Sequence, residues 1–110
     1  MSVEDTRKID AVAMDKNPTD VTLLISDHLD WVEDEGAHLL LLQNKLNAYL
    51  EFIESGELVQ KVPRSAGLPV IILVDAKFPL SPAAQKFFDL AKGAVKEVGV
   101  SLDFELSSKS

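Results

Sequence analysis

The segment Leu68–Lys77, LPVIILVDAK, constrains the fold more than any other part of the chain. From Val70 to Val74 both alternating sets of side chains are apolar, so neither face of an extended segment there favours water. Such a run reads as a central strand covered on two sides, which demands strands beside it and a second layer above. Two β-like runs precede it, Lys8–Asp15 (KIDAVAMD) and Asp20–Asp27 (DVTLLISD), joined by KNPT. Asn17-Pro18 is a turn signal, so the pair reads as a hairpin. In the second run Val21, Leu23 and Ile25 share one face, while Thr22, Leu24 and Ser26 share the other. Near the end, Val100–Leu106 (VSLDFEL) alternates Val100, Leu102, Phe104 and Leu106 with Ser101, Asp103 and Glu105, a strand with one wet face.

Between these runs the period becomes helical. From about Asp34 to Ser55, Leu39, Leu42, Leu46, Tyr49, Leu50 and Ile53 recur at spacings of three and four, widened by Leu41, Ala48 and Phe52. Ser55-Gly56 is a stop, and the stretch to Gly67 reads as a short extra turn followed by a loop. Ser81-Pro82 opens a second helix with a capping hydroxyl and a proline at the first helical position. Its expected inward residues are Phe87, Leu90, Ala91, Ala94 and Val98, and Gly99 closes it.

The order is therefore ββαβαβ. Short connections imply right-handed crossovers, which place both helices on one face of a four-stranded mixed sheet, an α+β fold. One domain is expected over residues 1–110, with an ordered core from about 8 to 106 and a frayed SSKS tail. If the helices cover one sheet face, the other needs an explanation. Val70, Ile72, Val74 and Leu24 are expected on that uncovered face, with a homodimer formed through it. The competing cover is the chain's own N-terminal residues and its Gly56–Gly67 loop.

Composition narrows the function. A net charge of −7 argues against nucleic acid and anionic lipid as partners, because both would repel the surface. No apolar run approaches a membrane span, and MSVEDTRKID lacks the apolar stretch of a signal peptide. Without cysteine there is no disulfide, thiolate nucleophile or thiolate zinc site, and a cytoplasmic location is expected. Neither a glycine-rich phosphate loop nor a G-x-S-x-G elbow occurs, so no cofactor is expected.

Two stretches hold residues that could do chemistry. ISDHLDWVEDEGAHLL, Ile25–Leu40, gathers Asp27, His28, Asp30, Glu33, Asp34, Glu35 and His38 around the only tryptophan, Trp31. Asp27, His28, Asp30 and His38 are the candidate metal ligands, yet no H-E-x-x-H pattern and no calcium loop is present. The first explanation of the acids is structural, since Asp and Glu at a helix start cap free N–H groups and complement the dipole. Trp31 reads as a lid over the core edge, with an exposed ligand platform as the alternative. The second stretch is Asp75-Ala76-Lys77 at a strand end. It is similar to the acid-x-Lys element of metal-dependent nucleases, although the acidic balance argues against DNA. The candidate catalytic residues are therefore His28, His38, Asp27, Asp75 and Lys77.

The pattern ISDHLDW, LLLLQNKLNAYL, FIESG, with VIILVDAKFPLSPAAQKFF after it, resembles a family of small bacterial proteins catalogued as a domain of unknown function. The likeness covers about Ile9 to Leu106 and implies a bacterial, stand-alone, cytoplasmic domain. It carries over no catalytic residue. Together these readings favour a non-enzymatic protein-interaction or accessory module, with either a homodimer or another protein as partner. A small metal-dependent hydrolase built on His28, His38 and the acidic cluster is the alternative.

Overall fold

A computed structural model describes residues 9–16 and 18–106. The elements run β1 (Ala11–Ala13), β2 (Val21–Asp27), α1 (Glu35–Glu54), a five-residue α2 (Glu57–Lys61), a 3-10 turn (Pro63–Ser65), β3 (Val70–Ala76), α3 (Pro82–Lys96) and β4 (Val100–Leu106). This is the ββαβαβ α+β fold with one short helix added. The first strand is shorter than its sequence run, and both Lys8 and the Asn17 turn position lie outside the described residues.

The sheet order is β1-β2-β3-β4. β1 is antiparallel to β2, while β2, β3 and β4 are parallel. Two parallel steps in the same direction, each by a right-handed crossover, put α1 and α3 on one side. Local signals set the helix ends. Asp34 Oδ1 accepts from the Ala37 N–H at 3.0 Å, and Ser81 Oγ accepts from the Ala84 N–H at 3.1 Å. Gly99, at φ 81°, takes a left-handed turn into β4 that a side chain would strain.

Register decides which face the helices cover, and it corrects the expected interface. Val21–Val70–Val100, Leu23–Ile72–Leu102 and Ile25–Val74–Phe104 are three rows across the parallel strands. All nine side chains are apolar, so this is the face the helices take. Val70, Ile72 and Val74 are buried inside the chain and form no intermolecular surface. Leu24 does not share their face; it sits beside Leu73 and Asp103. The uncovered face holds Thr22, Ile71 and Ser101, then Leu24, Leu73 and Asp103, then Ser26, Asp75 and Glu105. Its apolar part, Leu24, Leu73 and Ile71, continues onto Ala11 and Ala13 of β1 and is bounded by Ser26 and Asp75 at one end and by Ser101, Asp103 and Glu105 along β4.

The inward side of α3 also differs from the sequence reading. Ala84, Phe88 and Val95 are buried, while Leu90 is 74% exposed and Ala94 and Val98 lie at the surface. Phe87 and Ala91 are half-buried. The helix is turned by about one position, because both stripes are apolar and periodicity alone cannot choose between them.

Candidate functional site

The connection from β2 to α1 brings together part of the acidic and histidine cluster. Asp27 ends β2 on the helix-covered face, and His38 lies one turn into α1. Both are almost fully buried. His38 Nε2 meets the Asp27 carboxylate at 2.8 and 2.7 Å, and its Nδ1 meets the Asp30 carbonyl at 2.9 Å. A carbonyl only accepts, so Nδ1 carries a proton and donates it. One further proton lies in the contact between Nε2 and Asp27. Trp31 stacks on the imidazole, with ring centroids 3.5 Å apart and planes at 14°. Asp30 Oδ1 accepts from the N–H groups of Val32 and Glu33, and the Leu29 N–H donates to Asp27 Oδ1. The cluster is thus a clamp that fixes the loop, and Trp31 is part of the core as expected.

Catalysis needs a group free to face a substrate, and metal binding needs a free lone pair. His38 has neither, since both ring nitrogens are engaged. His28 sits at the surface after β2. Asp75 projects from the opposite sheet face, in the row of Ser26 and Glu105. Lys77 is exposed, and its backbone N–H donates to the Asp27 carbonyl at 3.0 Å. Parallel pairing does bring Asp27 and Asp75 to one end of the sheet, but the pleat sends them to opposite sides. Among the described residues no group of three or more His, Cys, Asp or Glu could hold a metal ion.

A second buried network was not foreseen from the sequence. β1 pairs with β2 only as far as Leu24, which leaves Ile25, Ser26 and Asp27 beyond it. Asp10 fills that gap, its Oδ2 accepting from the Ser26 N–H at 2.8 Å. Lys45, fully buried on α1, donates from Nζ to Asp10 Oδ1 at 3.0 Å. Tyr49 donates its hydroxyl to the Leu24 carbonyl and accepts from the Asp10 N–H at 2.8 Å. Burial pushes the Tyr49 hydroxyl well above the ordinary tyrosine range; the Asp10 N–H pulls it back in part and the Asp10 charge raises it further. His38, Lys45 and Tyr49 are spaced by seven and four, so they form one stripe of α1 that ties down β2. The available signal was Lys45 itself, a charge set within an apolar stripe.

Among the described residues several concave surfaces remain, one of about 170 Å3 lying against the clamp and lined by Leu29, Asp30, Glu33, Asp34, Ala37 and His38. A groove of about 250 Å3 lies between α1 and α3, lined by Leu46, Leu50, Phe87, Leu90, Ala91 and Ala94 among others and by no ionised side chain. A larger cleft of about 510 Å3 lies beside β4 and α3, lined by Leu80, Gln85, Phe88, Lys92, Asp103 and Phe104, with Leu73 and Glu105.

Fold and site together define a small α+β domain whose mixed sheet is backed on one side by helices and whose buried polar groups serve the fold. The chain belongs to DUF6572, a family of unknown function whose model matches residues 1–108. No curated protein and no solved structure matches it. Among the described residues no helix is long and apolar enough to cross a membrane.

Proposed function

We propose that this protein is a non-enzymatic protein-interaction module, an accessory partner of another protein in the bacterial cytoplasm. The observation that carries the reading is the closed state of its buried chemistry. The one buried acid–imidazole pair has both ring nitrogens occupied. Among the described residues every buried side-chain nitrogen and oxygen has a hydrogen-bond partner. Chemistry needs an uncommitted group, whereas recognition needs surface, and surface is what this chain leaves open. The acidic balance and the family resemblance support the cytoplasmic setting.

The test has two arms. Elemental analysis and thermal shift with divalent cations should show no stoichiometric metal and no rise in melting temperature. A photo-crosslinking residue at Glu105 or Leu90, compared with Gln60, should give a discrete protein adduct in cells from at least one of the first two positions. Stoichiometric metal, or a metal-dependent rise of several degrees, would instead favour the hydrolase.

A further inference from the structure

Resting on that reading, we propose that the partner binds as an added β-strand along the free edge of β4, and that its segment alternates apolar with basic residues. β4 is the last strand of the sheet, seven residues long, and among the described residues no strand pairs with its outer side. Such an edge presents alternate N–H and C=O groups outward, a template for another chain. Beside it lies the 510 Å3 cleft, whose other wall is α3. There Phe88 and Phe104 meet edge to face, with centroids 5.8 Å apart.

The pleat specifies the chemistry of the occupant. Side chains of an added strand alternate between faces. Those on the helix side would meet Phe104, Phe88 and Leu80, with Gln85 and with Lys92, whose ammonium lies 5.6 Å from the Phe88 ring centre, so apolar residues fit there and a basic one does not. Those on the open side would meet Asp103 and Glu105, which are exposed and flank Phe104 in sequence, so lysine or arginine fits. The net charge of −7 draws in the same kind of segment. A second copy of this chain does not fit. Two β4 strands paired antiparallel about Phe104 would set Asp103 opposite Glu105 twice, and β4 carries no basic residue to relieve them.

The probe is a fluorescent eight-residue peptide, VKVKVKVK, titrated by anisotropy against the full chain. Its controls are VEVEVEVE and a VKVKVKVK methylated on alternate backbone nitrogens, which keeps the charge but blocks the ladder on one edge. VKVKVKVK should bind, both controls should weaken by about tenfold or more, and alternate amides of β4 should gain protection from hydrogen exchange. The double variant Asp103→Lys/Glu105→Lys, with its fold verified by circular dichroism, should reverse the preference between the lysine and glutamate peptides. Equal binding by peptides methylated on either alternate set would show charge attraction only and overturn the proposal. So would unprotected β4 amides. A discrete crosslinked adduct from Leu90 with no effect at β4 would end strand addition yet leave the interaction module standing, whereas failure of both would end both.

Discussion

At one edge of the sheet, β1 is three residues long, and the β2 backbone beyond it is finished by side chains: Asp10 takes the Ser26 N–H and Tyr49 takes the Leu24 carbonyl. At the other edge β4 runs seven residues beside a cleft of about 510 Å3, and among the described residues no strand pairs with its outer side. Unpaired edges invite association, and proteins blunt the ones they do not use. Here the β2 backbone beyond β1 is closed by a buried network, whereas the β4 edge carries only two carboxylates. The difference separates a region specialised for holding the fold from one left available for contact. Breaking the first should cost stability, while changing the second should leave stability alone and alter association.

The largest loss is expected from Asp10→Ala. It removes a carboxylate that buried Lys45 donates to and the acceptor of the Ser26 N–H. Breaking one side of a buried ion pair typically costs about 3–5 kcal/mol. That is a large share of the roughly 5–15 kcal/mol that holds a domain together. Urea unfolding measures it, and Lys45→Met in the same background should restore part of the loss. An Asp10→Ala protein as stable as the wild type would mean that the closed edge is decoration.

Asp27→Asn comes next, at about 2 kcal/mol, since it replaces the buried carboxylate that meets His38 Nε2 with an amide. Because Trp31 stacks on His38, loosening the clamp should also shift tryptophan emission to the red. An unchanged spectrum would detach Trp31 from the clamp.

Tyr49→Phe should cost about 1–3 kcal/mol near neutral pH, through the lost bonds to the Leu24 carbonyl and from the Asp10 N–H. Its clearer mark is on pH dependence. The folded chain holds the Tyr49 proton more tightly than the unfolded chain does. The resulting stability is fully present below the unfolded tyrosine value of about 10 and is lost as pH rises beyond it. Urea midpoints between about pH 8 and 11 should therefore fall more steeply for the wild type than for Tyr49→Phe. Parallel slopes would show that the hydroxyl is not held by the network.

Much of this architecture was legible. Ser81-Pro82 and Gly99 mark the bounds of α3, and the doubly apolar Val70–Val74 run marks a central strand, because caps and periods are local physics. The choice of faces was not, since it depends on register. Once β2, β3 and β4 are aligned, the nine apolar side chains choose the covered face; read singly, β3 looks the same from both sides. The site followed the same division. Asp34 as a cap could be read from its position, but the Asp27–His38 clamp joins residues eleven apart across a loop. The Asp10–Lys45 pair spans thirty-five positions. No spacing rule encodes that contact, and only the odd lysine in an apolar stripe hints at it.

The smallest effect on stability, and the sharpest contrast with Asp10, is expected from Asp103→Lys. Asp103 is exposed, so the change should move the folding free energy by no more than about 0.5 kcal/mol. Association is a different matter. In an antiparallel pair of β4 strands centred on Phe104, position 103 of each copy faces position 105 of the other. The wild type offers two acid–acid pairs there, and the variant two lysine–glutamate pairs. Cross-strand charge pairs contribute roughly 0.2–1 kcal/mol each, so reversing two of them shifts dimer formation by about 1–3 kcal/mol, or roughly five- to 150-fold. Sedimentation at high micromolar concentration should show Asp103→Lys self-associating more strongly than the wild type, with hydrogen exchange slowed at alternate β4 amides. Because a like-charge variant keeps the repulsion, Asp103→Glu should behave as the wild type does. If Asp103→Lys sediments unchanged, the carboxylates on β4 are not what keeps that edge from pairing with itself.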